Sequence, residues 1–142
     1  MAIRFFFEEI SPLRTLQRNK IRKIVRKVIK DYSYKYGEIN FVFVSDAYLL
    51  EMNRNFLNHD YYTDIITFPV YEGNFVNGDV FISTERVNEN AIKYGLSLND
   101  ELLRVIIHGA LHLCGMEDNT PKKKAIMKKE ENNYLEFAEN LE

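Results

Sequence analysis

From Leu102 to Leu113 the chain reads LLRVIIHGALHL, twelve residues in which only Arg104, His108 and His112 carry polar side chains. A helix that is apolar around most of its circumference has to be enclosed by the rest of the protein. Ser97, with Asp100 in the first turn, supplies a start for that helix, and Gly115 a stop. The remaining elements must therefore be arranged around a central helix that carries two imidazoles.

Those elements mix strands and helices. Residues 3–9 read as a strand broken by Ser11 and Pro12. Apolar residues at spacings of three and four between Leu16 and Tyr36 predict an amphipathic helix with basic residues outside and Gly37 as its stop. Residues 39–44, INFVFV, predict a buried strand, and Asp46 a cap for a helix from Ala47 to about Phe56. Strands at 64–70 and 78–83 flank a turn at Gly73 and Asn74, with Pro69 marking an end or a sheet edge. A helix from Glu85 to Tyr94 ends at Gly95, and Thr120 followed by Pro121 starts a last one. The expected fold class is α+β: a single domain over 1–142, a small mixed sheet packed by helices, and a zincin-like metal-binding helix at its centre.

With 46% hydrophobic and 13% aromatic residues, the chain can fill one core without disulfides, and its single cysteine, Cys114, allows none within the chain. MAIRFFFEEI is too short an apolar run for a signal peptide or a membrane span. A cytoplasmic protein with no membrane attachment is the expectation. The net charge of −2 gives no global reason to expect nucleic acid, yet Arg14 to Lys30 holds eight Lys or Arg and no acid. Such a segment is either a solvated helix face or an RNA-facing surface.

On a helix, His108 and His112 lie one turn apart on one face and can present two imidazoles to one ion, zinc being the first choice of divalent metal. The pattern HxxxHxxGxxD turns the chain at Gly115 and can bring back Asp118 as a third ligand. Glu117, His59 or water compete for that position. Cys114, two residues past His112, points off the metal face and reads as a small buried residue. Peptidases of the HExxH type place a glutamate base directly after the first histidine, where this chain has Gly109. Something packing closely against the helix accounts for a glycine there.

HGALHLCGMED at 108–118 is similar to HGxLHLxGYDH of the YbeY family of bacterial endoribonucleases. MNRNFLNHDYYTDIITFP at 52–69 resembles the family's LNxxYRxxDxPTDVLSFP, and GDVFIS at 78–83 its GDIxIS. The resemblance implies an α+β domain holding one divalent metal ion, with zinc expected. It also implies cleavage of single-stranded RNA in maturing the 3′ end of small-subunit ribosomal RNA and in ribosome quality control, with the small subunit and its assembly factors as partners. By position, His108 and His112 match the first two metal ligands and Asp118 stands where the family has a third histidine. Leu57 stands where the family has an arginine suited to holding a phosphate. His59 or Arg54 can stand in for it. Thr63, Asp64 and Thr67 align with the family's TDxxSF segment, Asp64 also reading as a loop cap. Asp79 reads as a structural residue at a strand start. His59 and Glu117 are the catalytic candidates, and Phe56, Tyr61 and Tyr62 are available to stack on bases. A zinc metallopeptidase and a non-catalytic ribosome-assembly factor with a structural metal are the alternatives.

Overall fold

The computed structural model describes residues 1–59 and 62–141. Four strands form one sheet: β1 (Ala2–Phe7), β2 (Lys35–Val44), β3 (Ile65–Glu72) and β4 (Phe75–Ser83), in the order β1-β2-β4-β3. β1, β2 and β4 run parallel, and β3 pairs antiparallel with β4 as a hairpin turned at Gly73, whose φ is +60°. β3 is thus an edge strand, which is where Pro69 can sit without breaking a ladder. Among the described residues five helices pack with the sheet: α1 (Arg18–Asp31), α2 (Asp46–Leu57), α3 (Thr84–Tyr94), α4 (Leu98–Leu113) and α5 (Pro121–Glu139).

Strand alternation divides the sheet into two unlike faces. Ile39, Phe41 and Phe43 of β2, with Val80 and Ile82 of β4, join α1 and α4 in the main core. Val42, Val44 and Ile66 face the other way and meet Leu49 of α2 in a smaller cluster. α4 is the central helix expected: Leu102, Val105, Ile106, Ile107, Gly109, Ala110, Leu111 and Leu113 are all buried on it. Each fully buried aliphatic side chain here contributes roughly 1.5–3 kcal/mol. α1 docks through Ile21, Ile24, Val25, Val28 and Ile29 and keeps its basic residues outside.

β2 and β4 begin earlier than the sequence reading expects, at Lys35 and Phe75, and the end of α1 and the cap of α2 also differ from it. α1 stops at Asp31 rather than running on to Gly37, because Ser33 takes φ +65° and the Ser33 and Tyr34 amides bond back to the carbonyls of Lys30 and Ile29. This is the double capping bond that a glycine more often makes. Gly37 lies inside β2, at a register shift, where the Asn77 side chain fills the space of a Cβ and accepts from the Glu38 amide at 2.8 Å. α2 is capped by Ser45, whose hydroxyl accepts from the Tyr48 amide at 3.1 Å. Asp46 instead sits in the first turn and pairs with Arg86 at 2.6 Å. The starts at Ser97 and at Thr120–Pro121 and the stops at Gly95 and Gly115 fall where expected. Among the described residues, no helix is long and apolar enough to cross a membrane.

Candidate metal centre and adjoining cleft

α4 ends in a turn that shapes the site. Cys114 caps it, Gly115 takes φ +93°, and the Met116 amide reaches back to the Leu111 carbonyl at 3.1 Å. That turn brings Asp118 back over the last two turns of the helix. Asp118 Oδ2 lies 3.4 Å from His108 Nε2 and 3.6 Å from His112 Nε2, and the two Nε2 atoms are 2.9 Å apart. These three atoms form the one group of potential metal ligands among the described residues.

The ring orientations test whether a cation fits. His112 Nδ1–H donates to the Met116 carbonyl at 2.8 Å, and His108 Nδ1–H donates to Glu131 Oε2 at 2.7 Å. With both Nδ1 atoms acting as donors, both Nε2 atoms turn lone pairs into the same gap, facing a carboxylate oxygen. Three electron-rich atoms meet with nothing of opposite charge between them. Tetrahedral zinc with bonds of about 2.0–2.1 Å spaces its ligands about 3.3 Å apart, close to the separations here. The donor set fits such an ion, and three protein ligands leave one position open. Burial works against charge on His108, but the Glu131 hydrogen bond and the charges of Glu131, Asp118 and Asp64 outweigh it and raise its pKa. Burial and the neighbouring His108 lower that of His112.

Glu131 is the residue the sequence reading missed. It is a buried carboxylate on α5, also paired with Arg104 at 3.4 Å. Its signal was present: Met127, Glu131, Tyr134 and Ala138 recur at four, three and four, placing an acid on the buried stripe of the last helix. A carboxylate behind a ligating imidazole fixes its tautomer and raises its basicity. Asp64 belongs to the same environment. Burial raises its carboxyl pKa against the opposing pull of His108.

Beside the triad is a cavity of about 250 Å³, lined by Asn53, Leu57, His59, Thr63, Ile65, Ile66, Thr67 and His112. His59 therefore shares a wall with a metal-ligand candidate. It is held there by its own amide, which donates to the Asn53 carbonyl at 3.0 Å after a left-handed turn at Asn58. Leu57, Thr63 and Thr67 come together in the same cleft, and Arg54 is not among its lining residues. Glu117 is not brought in: Lys123 Nζ holds its carboxylate at 2.7 Å on the surface and lowers its pKa. Asp79 lies mid-strand rather than at a strand start, and accepts from Asn40 Nδ2 at 3.0 Å on the opposite sheet face. Phe56 is exposed with its ring edge-on to Phe68, and Tyr62 lies under the Arg86 guanidinium. Tyr61 falls outside the described residues.

Gly109 has a specific reason. A Cβ there would stand 2.8 Å from Ile65 Cδ1 and 3.0 Å from Val80 Cγ1. The helix presses directly on the β3–β4 hairpin at that point, so that even a Cβ requires the Ile65 side chain to shift.

The sequence pattern described as endoribonuclease YbeY matches residues 8–139. The chain belongs to the YbeY endoribonuclease family. An endoribonuclease YbeY of Parabacteroides distasonis is 44% identical over 135 residues, covering 95% of this chain and 94% of the relative. One of Cytophaga hutchinsonii is 46% identical over 132 residues, covering 92% of each. The solution structure of a Thermotoga maritima protein matches with a TM-score of 0.68 at 29% identity, over 96% of this chain and 89% of that one. Membership gives the His108–His112 pair, the turn at Gly115 and the adjoining cleft a common setting. Within it, Leu57 lines the cleft of this YbeY member, and no lysine or arginine does so among the described residues.

Proposed function

We propose that the chain is a metal-dependent endoribonuclease that cleaves single-stranded RNA, with His108, His112 and Asp118 holding one divalent ion, zinc in the first instance. The carrying observation is the convergence of two Nε2 lone pairs and a carboxylate oxygen beside an open cleft. A bound ion of this kind supplies Lewis-acid stabilisation of a phosphoryl oxygen and lowers the pKa of water. The chain's own residues do the rest. Glu131 and the Met116 carbonyl hold both imidazoles in the ligating tautomer. His59, on the cleft wall beside His112, is the side chain in reach for proton transfer. The Thr63 and Thr67 hydroxyls give the cleft neutral hydrogen-bonding groups for a ribose or phosphate, and Ile65 and Ile66 exclude water. The family relationship supports ribosomal RNA as the substrate, with the 3′ end of the small-subunit RNA as the processing point, the small subunit as partner and the cytoplasm as location.

The peptidase alternative loses its base to the packing at Gly109. A purely structural metal accords poorly with three ligands beside an open cleft. The deciding experiment replaces His108 and His112 separately by alanine and follows cleavage of single-stranded RNA alongside metal content. Loss of both is expected; metal lost with cleavage unchanged overturns the proposal.

A further inference from the structure

Among the described residues the cleft is lined by no lysine or arginine, although its substrate is a polyanion, and Asp118 stands beside His112 on its wall. The phosphates of a bound strand must therefore be held elsewhere. A second cavity, of about 470 Å³, lies between the C-terminal end of α1, the start of β2 and the β3–β4 turn. Arg26, Lys30, Lys35, Tyr34 and Tyr36 line it, together with Ile29, Ser33 and Asn74, and no acid does.

Three observations make this more than a stretch of basic surface. First, none of Arg26, Lys30 and Lys35 is in an ion pair among the described residues, whereas Arg4, Lys27, Arg86, Arg104 and Lys123 all are. Second, the cations are interleaved with rings: the Arg26 guanidinium lies 5.2 Å from the Tyr36 ring centre, and Lys35 Nζ 5.7 Å from that of Phe75. Cations alternating with aromatic faces are the composition that holds single-stranded nucleic acid without reading its sequence. Third, the cavity connects to the ligand-bearing helix. Tyr34 stacks on Tyr71 at 5.8 Å, and the Tyr71 hydroxyl donates to the carbonyl of Leu113, the residue after His112, at 2.7 Å.

We propose that this cavity is a second subsite for the RNA strand, remote from the cleavage cleft, where Lys30, Lys35 and Arg26 hold backbone phosphates and the Tyr34 and Tyr36 rings receive a base. The strand reaches it from the cleft by passing Tyr71 at the end of α4. The subsite supplies, at a different position, the cationic chemistry that Leu57 withholds from the cleft. It rests on the endoribonuclease reading.

The test uses the full chain and a fluorescein-labelled single-stranded RNA of about twelve nucleotides, a length within the range that such surfaces span. Lys30→Gln with Lys35→Gln is compared with Lys122→Gln with Lys124→Gln, an equal charge change on the exposed start of α5. The first pair should weaken binding about tenfold at low salt. It should also lower the slope of log K against log salt by about 1.4, at 0.7 for each lost phosphate contact on a single strand. KM should rise with kcat unchanged, and Tyr34→Leu should raise KM with the salt slope intact. Identical binding and slope in the two lysine pairs overturns the subsite while leaving the endoribonuclease reading in place, provided His108→Ala still abolishes cleavage. Absence of RNA binding and cleavage by the unaltered protein overturns both.

Discussion

The Glu131 carboxylate lies 2.7 Å from Nδ1 of His108, so a residue of the last helix sets the tautomer of an imidazole on the central one. The same carboxylate is buried and pairs with Arg104, which fixes its orientation. Glu131→Gln keeps the shape and a hydrogen bond but removes the charge. Metal affinity should fall roughly 10–100-fold, the usual effect of losing such a supporting group. Competition against a chromogenic chelator measures this. Cleavage should return when the ion is added in excess, which a failure of folding would not allow.

Asp118 should behave as a ligand rather than a supporting group. Asp118→Ala removes one of three donor atoms and should reduce affinity further than Glu131→Gln does. Asp118→His restores the family's residue and should retain metal while favouring zinc more strongly over manganese, because an imidazole is a softer ligand than a carboxylate. Metal content after equilibration with both ions gives the ratio. Equal loading of Asp118→Ala and the unaltered protein would remove Asp118 from the ligand set.

Gly109→Ala pits helix propensity against packing. Alanine gains about 1 kcal/mol over glycine in a helix interior. Its methyl group meets Ile65 and Val80 at 2.8 and 3.0 Å, and overpacking of this kind costs typically 1–3 kcal/mol. The net result should be a loss of about 1 kcal/mol, read from the midpoint of urea denaturation. Gly109→Glu should unfold the domain rather than confer peptidase activity.

Cys114 should be chemically silent in the native state. Burial pushes its thiol up to about 12. At pH 8 iodoacetamide should leave it untouched until denaturant is added. The folded form thus holds its proton more tightly than the unfolded chain, whose thiol titrates near about 8.5. This group contributes nothing to stability below that pH, and from there up toward pH 12 it progressively destabilises the fold. Cys114→Ser should remove that share of the alkaline loss.

What could be read in advance was what depends on neighbours in the chain. The apolar wrap of α4, the hairpin turn at Gly73, the cap at Ser97 and the stop at Gly115 are all local patterns, and so is the pairing of His108 with His112. The end of α1 was misplaced because apolar spacing continues through Tyr32, while Ser33 adopts a backbone conformation usually left to glycine. Ser45 and Asp46 are both good capping residues, and the choice between them was settled by Arg86, forty residues on. Glu131 was hidden among the other acids near the end of the chain, since only the docking of α5 shows which of them turns inward. His59 gained its place beside His112 through a cleft wall built from α2, β3 and α4 together.

The dependence of His108 on a residue 23 positions later orders events during synthesis. As the chain leaves the ribosome, α4 emerges well before Glu131, so a nascent protein carries both imidazoles before the carboxylate that orients one of them. Truncation anywhere between Pro121 and Glu130 would yield a chain that keeps its candidate metal ligands but leaves His108 without the Glu131 carboxylate. Such shortened chains should hold metal poorly and cut little RNA, so activity waits on the docking of α5.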